Sequence, residues 1–198
     1  GELIADQALI NYGASAGYLA MRMLEKDGLA ITDPGVTPSP VGLKGWMTAI
    51  RYLFTDANSA LVGTFAETAS DRELANLEAQ LREGLSQGGL GIGLLLDYFS
   101  EAADARELRM IFSVAAQSGA PVFVHIRRGI NGDPSGLREV LALAESTGTP
   151  LHICHISHNA MRNTDLFLEE IRRARGRGVD VTTEVLPYNA GSTAITAA

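Results

Sequence analysis

The chain has 198 residues, enough for one sizeable core, and its composition (46% hydrophobic, 20% charged) is that of an ordinary globular protein. A net charge of -7 argues against a nucleic-acid backbone as partner, and the single cysteine, Cys154, excludes an internal disulfide and a cysteine-pair zinc site. No apolar run approaches the roughly 20 residues that a membrane span needs. The expectation is a soluble cytoplasmic protein without a membrane partner. The opening Gly1, Glu2, Leu3, with no methionine before it, reads as an internal piece of a longer polypeptide.

Taken in order, Leu3 to Ala14 reads as a short helix or strand that leads into the Gly-rich stretch ending at Gly17. Tyr18 to Glu25 has helical spacing, and Gly28 stops it. Ile31 to Gly45 holds Pro34, Pro38 and Pro40, which forbid a helix or a central strand; the segment 31–45 is expected to be an irregular loop or insertion. Trp46 to Phe54 reads as a helix turning Trp46, Ile50, Leu53 and Phe54 to the core. Residues 59–63 are a short apolar run, taken as a buried strand. Ser70 with Glu73 three residues on forms a capping box for a helix running to about Gln87, where Gly88 and Gly89 end it.

A unit of about thirty residues then repeats in architecture, the length of one β-α unit. Apolar strands fall near 90–96, 121–127, 151–157 and 179–186. Helical segments follow the first three, at 103–118, 134–146 and 165–175, with glycines at their ends. Crossover helices between apolar strands imply a parallel sheet with right-handed connections. The fold class is therefore α/β, either a (β/α) barrel or a doubly wound open sheet. No glycine-rich phosphate loop opens any of the helices. The whole of 1–198 reads as one domain.

Parallel sheets build their sites beyond the C-terminal ends of the strands. Polar residues sit at those ends here: Asp97, His125 with Arg127, the run from His155 to His158, and Glu184 with Tyr188. All four histidines lie between residues 125 and 158. Neutral imidazole is a good ligand for zinc and similar ions, so His125, His155 and His158 are the candidate metal ligands. Strand alternation opposes His155 to His158, and a turn at Ser157 is needed to bring in both. His152 is read as structural, and Cys154 as a small buried apolar residue. Glu184 either orients an imidazole or pairs with Arg127 or an arginine of the 172–177 cluster, itself read as a solvated helix end. Asp97 with Tyr98 lines the mouth, and Asp97, Arg127, Glu184 and Tyr188 are the candidates for binding substrate or supporting the ligands. Asp133 and Pro134 read as a helix start. Such a site fits metal-assisted hydrolysis. No nucleophilic serine elbow is present.

At these residues the chain resembles the metal-dependent amidohydrolases, in particular the branch of N-acyl-D-amino-acid deacylases. The stretch 180–193 (DVTTEVLPYNAGST), Ile156 to His158 (ISH), Val124 to Arg127 (VHIR) and residues 83–92 (EGLSQGGLGI) are similar to stretches of that branch. Cys154 to Ser157 (CHIS) resembles the metal-bearing strand of the dihydroorotase and dihydropyrimidinase branches. The first resemblance favours His158 as ligand and the second favours His155.

The resemblance implies a (β/α)8 TIM barrel, incomplete in this chain. It implies one or two zinc ions, and a small-molecule substrate that is an N-acylated amino acid or a cyclic amide. The family's His-x-His of the first strand and Asp of the last strand, the general base, are absent. The deacylases' lysine after Ile-Ser-His falls on Ala160. The expected partner is therefore the remainder of its own polypeptide, with the piece inactive alone; the sequence leaves a homo-oligomer open. The alternative classes are a cyclic-amide hydrolase and a non-catalytic scaffold barrel.

Overall fold

The computed structural model describes residues 13–31, 38–55, 60–97 and 102–188. The expectation for Leu3 to Ala14 falls mostly outside them. The first described elements are β1 (Ala16–Gly17), α1 (Tyr18–Asp27), β2 (Leu29–Ala30), β3 (Ser39–Pro40), α2 (Gly42–Phe54), α3 (Val62–Ala66) and α4 (Asp71–Ser86). There follow β4 (Ile92–Leu95), α5 (Ala105–Gln117), β5 (Val122–His125), α6 (Ser135–Thr147), β6 (Leu151–Ile153), α7 (Ile156–Ala160), a 3-10 turn (Met161–Asn163), α8 (Thr164–Gly176) and β7 (Val181–Thr183).

Strands β1, β4, β5, β6 and β7 form a five-stranded sheet in that order, and every pair in it is parallel. The arrangement is an alternating β-α one with a parallel sheet, as part of a (β/α)8 barrel would have. The alternation of each strand sorts its side chains. Ile92, Leu94, Val122, Val124, Leu151, Ile153 and Val181 are buried in one core with Leu108, Ile111, Phe112, Leu137, Val140 and Phe167 of the helices. The other face carries Gly93, Leu95, Phe123, His125, His152, Cys154, Thr182 and Glu184. Register aligns Gly93, Phe123, His152 and Thr182 in one row across the sheet.

The helix ends follow their sequence signals. Ser70 and Glu73 make the capping box in both directions, and Asp104 caps α5 by accepting from the N–H groups of Arg106 and Glu107. Asp133 accepts from Ser135 N–H at 2.9 Å at the start of α6. Gly28 closes α1 and Gly148 closes α6, each in the left-handed conformation. Behind the sheet, Arg22 of α1 and Glu107 of α5 form a fully buried ion pair. Tyr18 donates to the same carboxylate at 2.7 Å.

Three expectations are corrected. The apolar run 59–63 is not a strand: Ala60 and Val62 to Ala66 are helical, and Ser59 lies outside the described residues. A short apolar run has no periodicity to separate the two states. Here Thr64 decides it, because its N–H donates to Asp27 Oδ2 at 2.7 Å while Gly63 presses on the same carboxylate, leaving no sheet edge to join. The fifth strand comes instead from Ala16–Gly17.

Helix α2 forms, but it does not bury its apolar stripe. Leu43, Trp46, Ile50, Leu53 and Phe54 are all more than half exposed. The helix docks through its small face. Gly45 packs directly on the backbone of Gly28, and the Thr48 hydroxyl donates to Asp27 O at 2.9 Å. The segment 31–45 is also less irregular than expected, since Ser39–Pro40 pairs antiparallel with Leu29–Ala30 and α2 begins at Gly42. Residues 32–37 lie outside the described ones.

Candidate metal centre

Strand β5 ends on His125, whose side chain leaves the inner face at the C-terminal rim. Strand β6 ends at Ile153, two residues before His155. His155 then adopts φ 36°, ψ 53°, the left-handed region that a non-glycine residue enters only under constraint. The expected turn therefore falls at His155, not at Ser157. It frees the His155 ring from strand alternation and points it across at β5. His155 Nε2 and His125 Nδ1 stand 2.9 Å apart, with the rings at 88° to each other.

His158 lies one helical turn on. Its ring is 5.5 Å from that of His155, but it is exposed and its Nε2 faces Arg128 Nη2 at 3.1 Å. The structure thus brings His125 and His155 together and leaves His158 at the edge.

Asp97 is at the end of β4, with its side chain 5% exposed. Its Oδ1 is 3.8 Å from His125 Nδ1 and has no hydrogen-bond partner among the described residues. Burial alone would lower the pKa of His125. The neighbouring Asp97 carboxylate, then Cys154, outweigh it and raise the value to about 9 in the metal-free chain. His155 moves the other way: burial, then the charge of His125, hold its pKa below the ordinary 6.5. The two imidazoles in contact are thus shifted in opposite directions, as coupled groups are. His155 Nδ1 is buried without a hydrogen-bond partner among the described residues.

These features fit a metal ion. Two imidazole nitrogens bound to one ion at ~2.0–2.1 Å stand about 3 Å apart at a right angle and about 3.4 Å apart in a tetrahedron. The observed 2.9 Å is within a small ring movement of both. A cation would also satisfy Asp97 Oδ1, which is buried without a hydrogen-bond partner among the described residues.

The other expected site residues divide. Arg127 turns away from the inner face; its Nε donates to Glu139 Oε2 at 2.7 Å and its guanidinium also holds Ala103 O, so it staples β5 to the helix layer. The strand ends at His125, so the alternation that would put Arg127 on the same face as His125 stops there. Glu184 pairs with neither arginine option. Its Oε2 is 3.8 Å from His152 Nε2, so the imidazole it accompanies is the one read as structural. Tyr188 is 76% exposed.

The inner face also holds a second group. His152, Cys154 and Glu184 place ligand atoms within 4.8 Å of one another and could hold a metal ion. The signal was present: His152, Cys154 and Glu184 all fall on the inward parity of β6 and β7. Beside them opens an apolar cavity of about 450 Å³, lined by Leu19, Ala20, Ile31, Leu95, Phe123, His125 and Cys154 among others.

The fold is that of part of a (β/α)8 barrel, and solved structures share it. The match to solved structures rests on N-acyl-D-glutamate deacylase from Bordetella bronchiseptica, complexed with zinc and a phosphonate inhibitor, at TM-score 0.59 and 20% identity, over 89% of this chain and 47% of that one. D-aminoacylase matches at TM-score 0.54 and 22% identity, over 63% of this chain and 27% of that one.

Among curated sequences, the N-acyl-D-glutamate deacylase of Alcaligenes xylosoxydans xylosoxydans is 27% identical over 199 residues, 98% of this chain and 33% of the relative. The dihydroorotase of Leifsonia xyli subsp. xyli is 46% identical over 187 residues, 94% of this chain and 30% of the relative. The chain spans no more than a third of the length of these two curated relatives. No family model matches it.

Proposed function

We propose that the polypeptide carrying this chain is a metal-dependent hydrolase of C–N amide bonds acting on N-acyl-D-amino acids. The observation that carries the reading is the convergence of His125 and His155 at the C-terminal rim, 2.9 Å apart, with the Asp97 carboxylate buried beside them. His125 and His155 would hold the ion, zinc by the chemistry of its ligands, with Asp97 fixing the orientation of His125. When bound, such an ion acts as a Lewis acid toward an amide carbonyl and acidifies a bound water toward neutrality.

The chain's own contribution is to hold and to exclude. Phe123, Leu95 and Leu19 give the adjoining cavity an apolar wall that suits an acyl group or an apolar side chain. His158 and Arg128 present positive or hydrogen-bonding character at the rim, where a substrate carboxylate would lie. The general base and further ligands belong, on this reading, to the rest of the polypeptide. Reaction in the cytoplasm is part of the same proposal.

One observation favours a second reading. The ring that meets His125 is His155, the ligand implied by the resemblance to the dihydroorotase branch, and the similar dihydroorotase points the same way. A cyclic amide is therefore the alternative substrate. The test is a metal assay on the full polypeptide, together with hydrolysis of N-acetyl-D- and N-acetyl-L-amino acids, hydantoins and dihydropyrimidines. Release of free D-amino acid supports the deacylase reading, and ring opening alone supports the second. Metal-free protein with no turnover of either would refute both.

A further inference from the structure

The pair His125 and His155 leaves other ligand-type side chains on the inner face unused. His152 and Cys154 are two residues apart along β6 and so point the same way. Glu184 comes level with Cys154: Glu184 N–H donates to Ile153 O, and Cys154 N–H donates to Val124 O. We propose that His152, Cys154 and Glu184 form a second metal seat, selective for a thiophilic divalent cation of the zinc class, next to the seat of His125 and His155. The proposal rests on the hydrolase reading only for the first seat.

Three observations support it. First, His152 is already oriented. Its Nδ1 is 2.8 Å from Thr182 Oγ1, and the Phe123 ring lies against it with centroids 5.7 Å apart. With the Nδ1 proton donated to the hydroxyl, the lone pair sits on Nε2, the atom that faces Glu184 at 3.8 Å. Second, the reach is right. The ligand atoms lie within 4.8 Å of one another, and zinc bonds of ~2.0–2.3 Å require separations of about 3.3–3.8 Å. Glu184 is exposed and can close that distance by rotating its side chain. Third, the donor set discriminates. Sulfur with imidazole selects zinc-type ions over magnesium or calcium, which take oxygen ligands. Three protein ligands leave a fourth position open, as a reactive rather than a purely structural seat requires. The competing account has His152 simply packed on Phe123 and bonded to Thr182, with Cys154 as a small space-filler.

Cobalt separates the two. The metal-free chain is titrated with cobalt(II), reading the thiolate-to-cobalt charge-transfer band in the near ultraviolet and the bound equivalents. Far-ultraviolet circular dichroism reports folding. The proposal predicts the band in the wild type, its loss with one equivalent of cobalt in Cys154→Ser and His152→Ala, and its survival in His125→Ala and His155→Ala. If Cys154→Ser does not fold, Cys154→Ala and His152→Gln are read the same way. Absence of the band from the wild type overturns the proposal. So does a band that disappears in His125→Ala and His155→Ala, because Cys154 would then serve the first seat. The hydrolase reading is judged separately, by turnover of the substrate panel: a loaded, band-positive protein without turnover refutes that reading and leaves the second seat standing.

Discussion

Replacing Glu107 by alanine tests how the frame behind the site is held. Glu107 on α5 and Arg22 on α1 are both 0% exposed. The carboxylate accepts from Arg22 Nη1 and from the Tyr18 hydroxyl. Burial, then the charge of Glu107, push the Tyr18 phenol well above its ordinary value, so it stays a donor. Truncation leaves a buried guanidinium that has lost its carboxylate, while the carbonyls of Thr64, Glu67 and Ala102 still accept from it. Removing one partner of a buried pair costs about 3–5 kcal/mol, and Tyr18 loses its acceptor for about 1 kcal/mol more. Against a total stability of about 5–15 kcal/mol the expected loss of about 4–6 kcal/mol is large. With an m-value of about 2 kcal/mol/M, the urea midpoint should fall by about 2–3 M. The double variant Arg22→Met, Glu107→Leu removes both charges and should recover part of that loss. A midpoint shift below about 0.5 M for Glu107→Ala, or a double variant no better than the single, would refute the reasoning.

Two smaller effects follow from the same structure. Ser70→Ala removes the cap of α4 and should cost about 1 kcal/mol in urea unfolding, while Ser70→Gly should cost only a few tenths; equal losses would show that the hydroxyl is not the source. The metal-free chain should lose stability as pH rises from 6.5 through about 9, because His125 binds its proton more tightly folded than unfolded. That contribution is complete below 6.5 and gone above the folded value. Asp97→Asn should flatten the slope, and stability that rises across this window would contradict the assignment.

How much of this was legible depends on what each signal encodes. Strands β4 to β7 could be read because both their composition and their spacing are non-local demands of one sheet. The capping box at Ser70 and the stop at Gly28 are local chemistry and appear where the residues stand. The run 59–63 and helix α2 depart from expectation for a shared reason: an apolar run says that a face is greasy, not what covers it. Gly45 against Gly28, a contact between two residues without side chains, decided how α2 docks, and no hydrophobic pattern records it. At the site, the inward parity of His125 was readable. The left-handed conformation of His155 was not, since histidine gives no sign that it will take a glycine's backbone geometry, and it is this residue that ends the alternation rule early. His152 was set aside because a lone histidine inside a strand looks like core. Its company, Cys154 beside it and Glu184 a strand away, emerges only with the register.

The account stands on His125 and His155 holding one ion between them. Zinc affinity measured by competitive titration of the wild type, His125→Ala, His155→Ala and His158→Ala tests it most directly, with Cys154→Ser as the background to remove the second seat. The account predicts a loss of about 100-fold or more for His125→Ala and for His155→Ala, and a change of only a few-fold for His158→Ala, the scale separating a ligand from a neighbour. A His158→Ala variant that loses as much as His125→Ala, with His155→Ala unchanged, would contradict it.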